Sequence, residues 1–248
     1  MLKSFSQFIS ESENPEKDFI NTTARQLIQK IKSIDESDEY TSLAGMEFTE
    51  PIRFDLILNI KKKKDVKISE DPHFESLSWE QINYDKLGYA IDANVRTNSG
   101  DLLIPEIEIH IILDPNKIPH AYTNLYARLV DILTHETAHI SQFDPLDRNP
   151  FSSHTSSKEE RNSAKKNFKY FLLNDEVEAM VDGMYANAKT KEIPLDHVFH
   201  DYLMPFIQSK YITPEEYAEV LSVWVRAALE KYPDAVFSKK VEKIVNSI

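Results

Sequence analysis

The sequence predicts an α+β fold, a small antiparallel sheet of three or four strands followed by a mostly helical half. Two observations carry this. Between residues 51 and 113 apolar side chains recur with period two, as along a strand with one buried face, and beyond residue 121 they recur at helical spacing. The change of period falls at Asp114-Pro115, where a proline ends the last strand.

The first element precedes the sheet. Over 15–34, Phe19, Ile20, Ala24, Leu27, Ile28 and Ile31 fall on one helical face, and Pro15 suits the first helical position. A polar connector, 35–40, follows. Ile52, Phe54, Leu56, Leu58 and Ile60 then alternate with Arg53, Asp55 and Asn59 and predict a strand. Tyr89, Ile91, Ala93 and Val95 form a weaker alternating run, and Ile107, Ile109, Ile111 and Leu113 a strong one. The polar clusters between them read as turns. Helices are expected over about 122–143, 158–173, 174–191 and 195–209. Another opens at Thr213-Pro214-Glu215-Glu216, which has a capping Thr, Pro in the first turn and Glu three residues on. That helix runs to about 231, and a weaker one follows Pro233. The loop 145–158, rich in Pro and Ser, reads as exposed. This organisation gives an N-terminal helical segment, 1–45, and one domain, 46–248, with its sheet in 46–114 and its helices in 115–248.

Composition narrows the function classes. The chain has 248 residues, 41% hydrophobic and 28% charged, within the range of ordinary globular domains. Its formal charge of −12 repels phosphate backbones, so nucleic acid is not an expected partner. The run Lys61–Lys64 reads as a solvated hairpin end. With no cysteine, thiolate nucleophiles and thiolate metal sites are excluded, and any metal must be held by His, Asp or Glu. No apolar run approaches the roughly 20 residues that span a bilayer, so neither a membrane partner nor a membrane location is expected. The N-terminus lacks the apolar stretch of a secretion signal. A cytoplasmic protein is the expectation.

The residues that carry chemistry are His135-Glu136-Thr137-Ala138-His139. The flanking Leu129, Val130, Leu133 and Ile140 follow helical spacing, so both histidines leave one helix face and can share a cation at about 2.0–2.1 Å. Glu136 lies beside the first ligand, placed to take a proton from a metal-bound water as that water attacks a carbonyl. This is the physical content of the zinc-peptidase helix motif. A third ligand is needed. The residues after His139 supply no further His, and a Glu from a later helix is the remaining common solution. The segment FLLNDEVEAMVDGMY offers Glu176 and Glu178.

Over about 60 residues, 125–185, HExxH followed by a helical Glu-x-x-Ala resembles the gluzincin metallopeptidases and the metallopeptidase-like proteins of large tailed phages. The resemblance implies a zincin-like domain with Zn2+ held by His135, His139 and a downstream Glu. It also implies hydrolysis of peptide bonds in a peptide or protein substrate, with Glu136 as general base. Members of such families often carry a small residue three positions after the ligand Glu. Glu176 with Ala179 fits that habit, whereas Glu178 with Asp182 fits another, an acidic partner for a ligand His. If Asp175 caps the helix, Glu178 turns back to the cap and Glu176 is free to bind metal. Glu176 is therefore the preferred ligand and Glu178 the alternative.

The strand 107–113 reads either as the edge along which substrate lies, as in zinc peptidases of this build, or as an ordinary strand of the sheet. Tyr170 and Tyr185 are candidate oxyanion donors. His154, His197 and His200 are weaker candidates, and loop 145–158 is expected to border the cleft. The opening MLKSFSQFISE resembles proteins of contractile-tailed phages, which raises host cytoplasm or the virion as locations and virion or assembly proteins as partners. The expected activity is that of a zinc metalloendopeptidase. The alternative is a structural or virion-assembly protein that retains a peptidase-like metal site.

Overall fold

The computed structural model describes residues 15–34, 41–48, 54–75, 77, 79–96, 104–143, 167–239 and 241. Its fold is α+β, as the two periodicities predict. Helix α1 (Pro15–Ser33) precedes strands β1 (Thr41–Phe48) and β2 (Phe54–Lys62), and a short helix α2 (Glu80–Leu87) precedes β3 (Tyr89–Arg96) and β4 (Glu106–Leu113). Four helices follow: α3 (Ile118–Phe143), α4 (Asn174–Lys191), α5 (Leu195–Gln208) and α6 (Pro214–Lys231).

The sheet order is β1-β2-β4-β3. β1 pairs with β2 and β3 with β4 antiparallel, but β2 and β4 run parallel. This corrects the expectation of a wholly antiparallel sheet. The chain leaves β2, forms α2, returns as β3, and only then lays β4 into the gap between β2 and β3. β4 is consequently interior, and among the described residues β3 is the edge on its side of the sheet. Of the two readings of 107–113, substrate edge or ordinary strand, the structure thus bears out the second. The composition of β4 agrees with this place, since Ile107, Ile109, Ile111, Ile112 and Leu113 are all buried.

One face of the sheet carries Phe54, Leu56, Leu58, Ile60, Ile107, Ile109 and Ile111 against the apolar stripes of α1 and α3. α1 begins with Pro15, holds Glu16 and Asp18 in its first turn and Lys30 and Lys32 in its last, all favourable to its dipole. Its Ala24, Leu27 and Ile31 are fully enclosed. The boundary placed at residue 45 falls inside β1, and α1 shares the core of the sheet. The opposite face of the sheet is covered near α2 by Ile68, Phe74 and Tyr84.

α2 was not expected. It is only eight residues long, with only Glu80 and Tyr84 buried, and it ends where Gly88 adopts φ 79°. A side chain at Gly88 would meet Lys117 Cβ at 2.4 Å, so this left-handed turn also permits close approach to the start of α3. α3 starts four residues earlier than its apolar pattern, with Pro119 in the first turn, where a missing N–H costs nothing. The start signal of α6 forms in full: Glu216 N donates to Thr213 Oγ1 at 3.2 Å and Thr213 N to Glu216 Oε2 at 2.7 Å. Residues 168–172 form a 3₁₀ turn rather than the end of a helix; the rest of the helix expected over 158–173 lies outside the described residues, as do loop 145–158, His154 and the N-terminal string.

α4, α5, α6 and the 3₁₀ turn enclose a second core around Trp224, Phe199 and Phe171, in which Trp224 Nε1 donates to Phe171 O at 2.9 Å. The pair α3–α4 joins the two cores. Among the described residues no helix is long and apolar enough to cross a membrane.

Candidate metal centre

α3 and α4 pack antiparallel, as their contacts show. Asp131 meets Asn187 and Gly183, His135 meets Ala179, His139 meets Glu176, and Gln142 meets Asp175 and Glu178. At Gly183 a Cβ would lie 2.4 Å from Asp131 Oδ1 and 2.6 Å from Asp131 O, so glycine sets how near α4 comes to α3.

That spacing brings His135, His139 and Glu176 together. His135 Nε2 lies 3.1 Å from His139 Nε2, and Glu176 Oε2 lies 3.8 and 3.5 Å from those two atoms. A tetrahedral divalent ion with ligands at 2.0–2.1 Å requires donors about 3.3 Å apart, so the three atoms already sit near the corners such an ion would need. This group can bind a metal ion. Its chemistry fits as well, with two imidazoles and one carboxylate, all largely buried, where a lone carboxylate would be costly.

The second layer orients the ligands. His139 Nδ1 lies 2.9 Å from Gln142 Oε1, an acceptor, so Nδ1 carries the hydrogen and Nε2 faces the centre. Gln142 is held in turn by Asp175 O at 3.2 Å. Tyr170 hydrogen-bonds to Glu176, and its own burial keeps the phenol protonated.

The metal-free charges follow the same logic. Burial, and then the neighbouring His139, push His135 down to about 3, so it is neutral. Burial opposes protonation of His139, but the hydrogen bond and charge of Glu176 outweigh it and raise its pKa. Burial raises Glu176, yet the bonds and charges of His139 and His135 overcome that and bring it down to about 2. One proton on His139 therefore stands where a cation would.

Glu136 lies beside this group, 6% exposed, and makes no hydrogen bond with a described residue. Burial pushes its carboxyl up to about 7, against the charge of His139. It faces a cavity of about 680 Å³ bordered by Ile91–Val95 of the edge strand β3.

Glu178 is not in the group. It pairs with Lys231 at 2.8 Å and takes a bond from Gln142 Nε2 at 3.3 Å. The helix cap is Leu173, without a side-chain cap bond, so the capping role expected of Asp175 and Glu178 does not form. Asp182 pairs with Lys231 and Tyr232, not with a ligand His. Of the two tyrosines, Tyr170 lines the cavity, whereas Tyr185 bonds to Asp234 and stacks on Tyr232. His200 bonds to Tyr217, and neither it nor His197 lines the cavity.

The sequence reading missed the charged residues Glu80, Asp92, Arg128 and Asp131 of the cavity. A signal for Arg128 was present: with Asp131 it interrupts the apolar run LYARLVDIL on the buried face of α3. Glu80 gave none, lying in an unrecognised helix. No protein-family model matches the chain, nor does any curated protein or solved structure.

Proposed function

We propose that the protein is a zinc-dependent metalloendopeptidase. The observation that carries this is the convergence of His135, His139 and Glu176 beside the unbonded carboxylate of Glu136, at the wall of an open cavity. A purely structural site is closed by four protein ligands; here three described side chains converge and the fourth side faces the cavity, which favours catalysis over the structural alternative.

Zinc bound there would polarise the scissile carbonyl and lower the pKa of a bound water towards about 7. Glu136 takes the proton that the attacking water loses and returns it to the leaving amine, a role suited to a carboxyl tuned near neutrality. Tyr170 donates its one O–H to Glu176 and holds that carboxylate in place, and it would have to leave Glu176 to serve a developing oxyanion. Among the described residues no strand pairs with the outer side of β3, and beyond Ile91, whose N–H Glu80 takes, its main chain is open to a substrate strand that would bring the scissile bond to Glu136.

The test is metal content and peptide cleavage by the wild type and Glu136→Gln. The variant should bind one zinc per chain and lose on the order of 10²–10⁴ in turnover. Cleavage by Glu136→Gln at the wild-type rate refutes the mechanism.

A further inference from the structure

Arg128 lies seven residues before His135, hence on the same face of α3 and about 10.5 Å along its axis. Both line the one cavity. The guanidinium spends one nitrogen on Asp131, by a bond from Nη1 to Oδ2, and lies 5.1 Å over the ring of Tyr202. Its remaining N–H groups make no hydrogen bond with any described residue, and none of its nitrogens is among the sealed, unsatisfied atoms. They therefore open into the cavity. Aromatic side chains wall this end: Trp79 stands 4.6 Å from Phe206 and 5.0 Å from Tyr211, ring to ring.

Outside the metal group, the carboxylates lining the cavity are Glu136; Asp131, bonded to Arg128; Asp92, whose Oδ2 pairs with His73 Nε2 at 3.0 Å; and Glu80. Glu80 Oε1 accepts from Asn83 Nδ2 at 3.1 Å and its Oε2 from Ile91 N at 3.2 Å, so both oxygens are already engaged. A cationic substrate group would have to compete with Arg128 for Asp131. An anion meets donors that lack acceptors, in a water-poor setting where charge-assisted bonds are strong.

We infer that the Arg128 end of the cavity is a subsite for a substrate carboxylate, held about two residues from the scissile bond. This rests on the peptidase reading above. The distance is set by the spacing on α3: two extended residues span about 7 Å, and a hydrogen bond to the guanidinium covers most of the rest. Either the side chain of an acidic residue or a chain terminus can supply that carboxylate.

A randomised peptide pool, half with free C-termini and half amidated, tests this. The pool is cleaved by the zinc-loaded wild type, with sites read by mass spectrometry, and captured on immobilised, zinc-loaded Glu136→Gln. Glu and Asp should exceed Gln and Asn at one fixed position about ten- to a hundredfold, or free termini should exceed amidated ones by as much. Which of the two occurs identifies the source of the carboxylate. Arg128→Gln/Asp131→Asn removes both charges of the pair and should abolish the preference in cleavage and in capture. Cleavage without any carboxylate preference overturns the subsite and leaves the peptidase reading standing. Carboxylate-dependent capture without cleavage keeps the subsite and overturns the peptidase reading. Neither capture nor cleavage overturns both.

Discussion

Replacing Glu80 by Gln should make the protein more stable at neutral and alkaline pH. Glu80 is 6% exposed, and burial pushes its carboxyl from 4.5 up to about 7, while Arg128 and the bonds from Ile91 N and Asn83 only partly oppose that. The folded state thus holds this proton more tightly than the unfolded state. Stability then falls as pH rises through the window between 4.5 and 7, because the native form binds more protons there. Above about 7 the full cost is present, and the gap corresponds to about 3 kcal/mol. Glutamine is nearly isosteric, still offers an oxygen to Ile91 N, and never ionises. Urea midpoints of chelator-treated wild type and Glu80→Gln, taken near pH 5 and near pH 8, provide the measurement. The variant should gain up to about 3 kcal/mol over the wild type at the higher pH and much less at the lower. Glu136, also pushed up to about 7 by burial, is common to both proteins and cancels in the difference. Parallel pH profiles for the two proteins would refute the assignment of this cost to Glu80.

Glu176→Ala should abolish stoichiometric metal binding, whereas Glu178→Ala should leave it intact and cost at most about 1 kcal/mol, since its pair with Lys231 is half exposed; elemental analysis and thermal midpoints read both. Gln142→Ala removes the acceptor that orients His139 and should weaken metal affinity about 10–100-fold, measured by competition with a chromophoric chelator. Gly183→Ala forces a methyl group to within 2.6 Å of the Asp131 backbone oxygen and should destabilise by about 1–3 kcal/mol, with a loss of metal affinity as α4 is pushed from α3.

What could be read in the sequence was whatever depends on short spacing. His135 and His139 share a face because four residues make one helical turn, and the start of α6 is written in four consecutive residues. Glu176 was preferred over Glu178 partly for a reason that fails: Asp175 does not cap α4, and Glu178 is drawn off by Lys231, 53 residues away. No local pattern reports such a partner. Strand order was equally hidden, because the alternation in 107–113 marks a buried face without saying which strands lie on either side. The weaker alternation of β3, with Asp92, Asn94 and Arg96 between its apolar residues, is what an edge strand shows, and it became meaningful only once β4 was seen to be interior.

The geometry of the metal group is set by the approach of two helices rather than by the ligands themselves. Along α4, Ala179 and Gly183 stand four residues apart on the face toward α3: His135 hydrogen-bonds to the backbone of Ala179, and at Gly183 any side chain would run into Asp131. Their closeness puts Glu176 opposite His139 and leaves a buried carboxylate beside two imidazoles, a set that needs one positive charge to be tolerated. In the metal-free protein a proton on His139 supplies it. A divalent ion would supply more charge and satisfy all three donors at once, releasing that proton as it binds. Metal affinity should therefore rise with pH through the titration of His139, and any substitution that widens the α3–α4 gap should weaken binding without touching a ligand.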